Sequence, residues 1–437
     1  MLQSDTYLDA ILKWMRQNNQ THLYVLTQLT GKAMAALAQL LTIYVFTKLY
    51  GPDDAAIIFM LLGYGIWIQV FELGFSQVIQ NGLNTRVLNL RDVCSIIFFH
   101  YFLMLLVASL VLIYPGWLEP FHGQQSVLDT ETGIAVFSVG IALMLVSTTN
   151  VLIQRMLLVV NRGIVANWLI FWQASFTIVV LFYLQWRSAN LLESVAVFLA
   201  VPVITYAPLV LQCALKLLRR NTRHRLRMSW VFKKSLGFWG VTALASIYLG
   251  ADYFFAAVYL SSAEVVAYHF VSRLFFISFV AYFAYVQHQA RGISRATLFV
   301  TPHKVWSIMQ RSVLVGGLSV IAVLLTALVL EWSGGMALIG ASGLVSTSLI
   351  LAAAVYYGTR VIRDVGLVLV WNMGEQRLLY GVHALEVALV LILLGAFASK
   401  WGSVGIFLSM ALVAAVSATA VYAVVHKCSS CIAKVQS

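Results

Sequence analysis

Lys216-Leu-Leu-Arg-Arg-Asn-Thr-Arg-His-Arg-Leu-Arg-Met-Ser-Trp-Val-Phe-Lys-Lys234 holds eight of the chain's 28 basic residues in 19 positions, and no acid. Long apolar segments flank it on both sides. A cluster this basic beside membrane spans stays on the cytoplasmic side, because translocating Lys and Arg is unfavourable. It stands near the middle of 437 residues. The stretch therefore reads as a cytoplasmic tether, 216–234, between an N-terminal half, 1–215, and a C-terminal half, 235–437. Its charge is that of a solvated loop facing anionic lipid headgroups.

The composition agrees. The chain is 61% hydrophobic and 10% charged, with mean hydropathy +0.88, where soluble domains carry about 25% charged residues. No water-soluble core absorbs that much apolar surface, so the sequence predicts an all-α polytopic membrane protein. The net charge of +12 follows from topology and does not indicate nucleic acid. Cys94, Cys213, Cys428 and Cys431 are too few and scattered for a disulfide framework. Cys428-Ser-Ser-Cys431 with His426 resembles half a zinc site, but no second ligand pair is near, so no metal is expected. Residues 1–22 are too polar for a cleavable signal peptide. Leu8, Ile11, Leu12 and Met15 lie at helical spacing and predict a short interfacial helix before the first span.

Twelve spans of bilayer length follow: 24–48, 55–80, 94–114, 132–157, 164–186, 192–215, 236–259, 264–288, 312–332, 342–362, 377–399 and 402–425. Basic residues give an independent check. With both termini cytoplasmic, the inner segments, taken with the adjoining span ends that hold Arg155, Arg360 and Arg377, carry 23 Lys and Arg, Arg360 and Arg363 being counted with the fifth inner loop. The outer loops hold Lys48, Arg187 and Lys400, and only Lys32 and Arg273 fall far from a span end. One missed span would scramble this alternation. Pro202 and Pro208 both lie in the sixth span, which predicts a bend there. The outer loops are short, the longest being Pro115–Glu131, so no soluble domain is inserted.

The halves compare directly. Tyr50-Gly-Pro-Asp-Asp54 joins spans one and two, and Leu260-Ser-Ser-Ala-Glu264 joins spans seven and eight. Each is a tight outer turn ending in an acid. Six plus six spans of one orientation imply parallel repeats about an axis along the membrane normal, with a central cavity between the halves.

Five ionisable residues lie well inside the spans: Lys32, Glu72, Asp252, Arg273 and Glu386. Each should face protein or a wet cavity. Lys32 and Glu72 match in depth, about 12 Å from the inner edge, and Asp252 and Arg273 match in the outer half. They form two candidate acid–base pairs, either structural or set to receive an anionic ligand. Gln28, Lys32 and Gln39 share one face of span one. Gln69, Glu72, Ser76 and Gln80 share one face of span two. His100, His269 and His383 read as interhelical hydrogen-bond glue. Tyr248, Tyr253 and Tyr259 read as packing.

Ala251-Asp252, Ser261-Ser-Ala-Glu264-Val-Val-Ala-Tyr268 and Arg273-Leu274 resemble the seventh-to-eighth span region of Wzx-type O-antigen flippases. Phe71-Glu72-Leu-Gly-Phe-Ser-Gln77 with Asn81-Gly82 resembles the end of their second span. These are polysaccharide exporters of the multidrug/oligosaccharidyl-lipid/polysaccharide superfamily. Leu260-Ser261 departs from their usual Leu-Gly. The resemblance implies a flippase of the bacterial inner membrane, carrying polyprenyl-diphosphate-linked oligosaccharide to the periplasmic leaflet, in company with other polysaccharide assembly proteins. Lys32, Arg273, Gln28, Gln39 and Gln69 would then contact the head. Glu72, Asp252 and Glu386 could couple transport to H+ or Na+.

The rivals are a cation-coupled multidrug exporter of the same superfamily and a membrane polysaccharide polymerase or ligase. The outer loop Pro115–Glu131 lacks Lys and Arg, which disfavours the enzyme. With no nucleotide loop or nucleophile elbow, the chain is expected to be neither an enzyme nor ATP-driven by itself.

Overall fold

The computed structural model describes residues 4–114, 131–160, 162–218, 228–295, 302–336, 343–372 and 376–436. Every regular element among them is helical. They are α1 (Ser4–Ile68), a 3-10 turn (Gln69–Glu72), α2 (Phe75–Asn84), α3 (Leu90–Ile113), α4 (Glu131–Ser147), α5 (Thr149–Val159) and α6 (Gly163–Arg187). Then come α7 (Leu191–Leu218), α8 (Met228–Tyr259), α9 (Ser262–Arg295), α10 (Pro302–Trp332), α11 (Thr347–Asn372) and α12 (Gln376–Gln436).

Eight of the described stretches are long and apolar enough to cross a membrane, and two, Leu26–Glu72 and Leu378–Ala423, are of double length at 47 and 46 residues. Each double stretch turns at one non-helical glycine, Gly51 (φ 75°) or Gly402 (φ 56°). Those angles are open to glycine without a side-chain penalty. The double stretches therefore supply four crossings. α9 and α11, with 34 and 26 residues, are also long enough but carry charge inside. With them the described helices make twelve crossings, as the sequence predicts.

Three expectations are corrected. α1 runs unbroken from Ser4 into the first crossing, so no separate interfacial helix precedes it; the polar run 17–22 holds no Gly or Pro to stop a helix. The tenth crossing is Thr347–Asn372, not 342–362, because Gly343 (φ 73°) holds a turn at the start of the apolar run. Arg360 and Arg363 therefore lie inside the helix, not in a loop. The second crossing is not one continuous helix. It breaks at Leu73 (φ 58°) and Gly74 (φ 72°), both left-handed. α7 continues through Pro202 and Pro208. Of the basic tether, residues 219–227 lie outside the described residues, as do 115–130 of the long outer loop. The side chains of Cys428 and Cys431 are not among those described.

The break in the second crossing frees backbone carbonyls that membrane interior cannot solvate. The Phe71 carbonyl accepts from His100 Nε2 at 3.0 Å, and His100 Nδ1 accepts from Thr149 Oγ1 at 2.9 Å. The Val70 carbonyl accepts from the Leu73 N–H and from Trp239 Nε1 at 3.0 Å. Gly74 lies against α8, where an added Cβ would sit 2.6 Å from the Ser235 carbonyl. His100 is thus glue, as its position predicts.

Two large apolar cores, with two small clusters beside them, hold the described residues together. The larger joins the C-terminal half to those N-terminal residues farthest from the basic loops: Phe46, Phe59, Leu61, Phe137, Leu184 and Leu199. The second belongs to the N-terminal half at the basic face: Phe75, Ile97, Leu152, Tyr206 and neighbours. From the C-terminal half it is joined by the start of α8, through Val231. Among the described residues the halves thus share one core at the face opposite the basic loops, while at the basic face the C-terminal half enters the N-terminal core through α8.

Candidate functional site

The closure between the halves is built on the second arm of α1. Phe59 stacks on His269 of α9, centroids 4.6 Å apart and planes 6° apart. An added Cβ at Gly63 would overlap the Tyr253 ring of α8, and one at Gly250 of α8 would overlap the Trp67 indole. Each helix thus seats one of the other's aromatic rings on a glycine. This fit needs hydrogen at both positions.

Just inside that closure lies a polar group. Arg273 is half-buried on α9, one turn beyond His269. Its Nε donates to His269 Nε2 at 3.4 Å, and His269 Nδ1–H then donates to the Tyr253 hydroxyl at 2.9 Å. The ring's tautomer follows from these two partners. Among the described residues no carboxylate lies within 4 Å of Arg273. The expected Asp252–Arg273 pair is therefore not formed. Asp252 is buried and accepts instead from the Tyr268 hydroxyl at 2.6 Å and the Tyr253 N–H at 2.9 Å. Matching depth brought the two near, but the tyrosine of the facing helix reaches the carboxylate first.

Deeper in the C-terminal half is a cluster the sequence reading missed. Glu386, fully buried, receives Arg363 through two bonds, Nε to Oε1 at 2.5 Å and Nη2 to Oε2 at 2.6 Å. His383 Nδ1 donates to Glu386 Oε2 at 2.7 Å. Arg363 Nη1 also reaches Asp364 at 2.6 Å, and its guanidinium lies 4.6 Å over the Tyr248 ring. Arg360 meets the other Asp364 oxygen at 3.3 Å. An i, i+3, i+4 pattern of Arg360, Arg363 and Asp364 beside Tyr356-Tyr357 was the available signal. Hydropathy obscured it by placing the charges in a loop.

The N-terminal candidates are less concentrated. Gln28 is buried, Lys32 and Gln39 half-buried, and Gln69 exposed. Gly31 lies against α6, where an added Cβ would be 2.9 Å from the Asn167 carbonyl. Asn167 donates to the Tyr24 carbonyl and to Thr27, each at 3.2 Å. Lys32 is thereby set at a close helix crossing. Glu72 is buried and accepts the Ser76 N–H at 2.6 Å. It makes no ion pair with Lys32, because the break turns its carboxylate to cap α2. Among the described residues no group of three or more His, Cys, Asp or Glu is placed to hold a metal.

No protein-family model matches the chain, and no curated protein matches its sequence. Solved structures do match its fold. A multidrug resistance MATE family transporter of the MOP superfamily, in an inward-facing conformation, is 12% identical with TM-score 0.69, over 94% of this chain and 100% of that one. The lipid II flippase MurJ, in an inward closed conformation, is 12% identical with TM-score 0.69, over 90% of this chain and 85% of that one. A MOP superfamily transporter from Pyrococcus furiosus, whose reversed pocket polarity suggests a different function, is 13% identical with TM-score 0.66, over 94% and 96%. The chain has the fold of the MOP superfamily transporters, multidrug exporters and a lipid flippase among them.

Proposed function

We propose that this chain is a flippase. It carries a polyprenyl-diphosphate-linked oligosaccharide, an O-antigen or similar repeat unit, from the cytoplasmic to the periplasmic leaflet of a bacterial inner membrane. Both termini are cytoplasmic, and the basic face is the loading side. The polar head moves by alternating access between the halves while the isoprenoid tail stays in lipid.

One observation carries this reading. Arg273 is a membrane-embedded cation, beside the closure of the halves, with no carboxylate within 4 Å among the described residues. An uncompensated charge at that depth is costly unless water or an anion meets it. The embedded acids, by contrast, are engaged: Glu386 and Asp364 by arginines, Asp252 by Tyr268, Glu72 by the α2 backbone. That balance suits an anionic head better than a cationic drug. Coupling to H+ or Na+ would fall on Asp252 or Glu72, whose partners are neutral, before Glu386.

Complementation of a flippase-deficient strain tests the reading, with surface glycan and membrane protein level measured together. Arg273→Gln should abolish surface glycan at a normal protein level. Drug efflux by the native chain with no glycan restored would overturn the assignment. Cysteines near Arg220 and Thr301 should be labelled only from the cytoplasm, and cysteines near Gln124 and Ser333 only from outside.

A further inference from the structure

We infer that Phe276 on α9 is a sugar-binding residue of this flippase, its exposed ring carrying the pyranose that is joined to the substrate's phosphate. This rests on the flippase reading above and gives a role to a side chain that neither the closure nor the ion network uses.

α9 is packed by α1, α10 and α11, and every residue from 265 to 272 is buried. Over that length it has no lipid-facing side. His269, Arg273 and Phe276 follow at i, i+4 and i+7 on one helix face. His269 is 2% exposed, Arg273 half-buried and Phe276 38% exposed. The face that meets Phe59 of α1 at His269 therefore loses its cover two turns further in. The facing arm of α1 runs the same course: Phe59 and Gly63 are buried, Ile66 is half-buried and Gln69 exposed. Both helices descend from outer turns toward the basic face. At 1.5 Å per residue, Phe276 lies about 10 Å and Gln69 about 15 Å below the Phe59–His269 contact. The halves thus part there, leaving a gap between α1 and α9. A glutamine exposed at that depth is costly in lipid, which marks the gap as wet.

A large apolar ring exposed to a wet gap runs against the hydrophobic effect. The ring is also braced. It lies parallel to Phe279, centroids 6.1 Å and planes 6° apart, and Phe279 carries the Arg360 guanidinium 4.8 Å from its centroid. One side is therefore held and the other open. A ligand that covers it needs an apolar face and a polar edge, since Gln69 is on the opposing wall and Arg273 is three residues away. A pyranose has that form. Its axial C–H bonds rest on an aromatic ring, while its hydroxyls exchange hydrogen bonds with an amide. The order along α9 agrees. Arg273 and Phe276 are about 4.5 Å apart along the axis, and the substrate's phosphate joins its first sugar directly. Covering the ring removes apolar surface from water, a gain open to a sugar-bearing lipid and closed to a bare polyprenyl diphosphate.

The test is calorimetric titration of the purified full chain in lauryldimethylamine oxide, a detergent without sugar. The probes are farnesyl diphosphate and farnesyl-diphosphoryl N-acetylglucosamine. The native chain should bind the sugar-bearing lipid about tenfold tighter. Phe276→Leu keeps apolar bulk without the flat ring, and should lose that preference while holding farnesyl diphosphate as before. Phe276→Tyr keeps the ring and should retain the preference. Should Phe276→Leu fail to fold, Phe276→Met, unbranched and adaptable, carries the same test. An undiminished preference in the folded variant, or none in the native chain, would overturn the sugar platform. The flippase reading, which stands on Arg273 and glycan export, would survive. Equal weakening of both lipids by Phe276→Leu would also overturn the platform, the ring then serving packing alone. A native chain that binds neither lipid would overturn both readings.

Discussion

In the N-terminal half, polar side chains serve a broken helix. His100 and Trp239 donate to the carbonyls released by the break at Leu73–Gly74, and Glu72 caps the segment that follows. In the C-terminal half, polar side chains serve one another. Arg363, Glu386, His383 and Asp364 neutralise each other between α11 and the arm of α12 that precedes Gly402, both unbroken. The first arrangement yields a point of bending, since a left-handed pair interrupts the ladder that stiffens a helix. The second yields rigidity, since a satisfied ion network in low dielectric resists rearrangement. The difference predicts that bending falls on the second crossing while α11 and the first arm of α12 stay fixed.

Breaking the rigid network should produce the largest effect. Glu386→Gln leaves Arg363 short of a counter-charge, and such orphans cost about 3–5 kcal/mol. Thermal unfolding in detergent should show a large loss, and adding Arg363→Gln should recover part of it. Equal stability of Glu386→Gln and the native chain would remove the distinction between the halves.

His100→Ala attacks the bending side. It leaves the Phe71 carbonyl without its partner, at a cost of about 1–3 kcal/mol. The same unfolding measurement should show less damage than at Glu386, together with faster hydrogen exchange confined to the region about residue 73. Exchange that rises uniformly would argue against a local bend.

Gly250→Ala sharpens the comparison at the seam. The methyl group displaces Trp67, and overpacking of this kind costs about 1–3 kcal/mol, part of it relieved if the halves separate. A cysteine at position 59 should then react more readily with a membrane-impermeant reagent from outside. Unchanged reactivity would mean that the seam is not the closure.

Lys32→Ala should have the smallest effect on stability, within about 0.5 kcal/mol. It should nonetheless abolish surface glycan, and Lys32→Arg should retain part of it by keeping the charge. Full surface glycan from a well-expressed Lys32→Ala strain would take this residue out of the mechanism.

Wherever hydrophobicity and charge decide position without reference to neighbours, the amino-acid order was sufficient. It determined the membrane class, the number of crossings and the basic face, since each follows from the cost of placing a residue in lipid. It marked Gly51 as a turn, and Asp252 and Arg273 as embedded. Tertiary structure alone decided which partners those charges take. Asp252 met Tyr268 instead of Arg273, and Glu72 met its own backbone instead of Lys32. Hydropathy misplaced Arg360 and Arg363 because it prices each charge as if alone. Glu386, Asp364 and a wall of aromatic rings supply the counter-charge and packing that let two arginines remain inside a membrane. Those partners are distant in sequence and come together only in the folded chain.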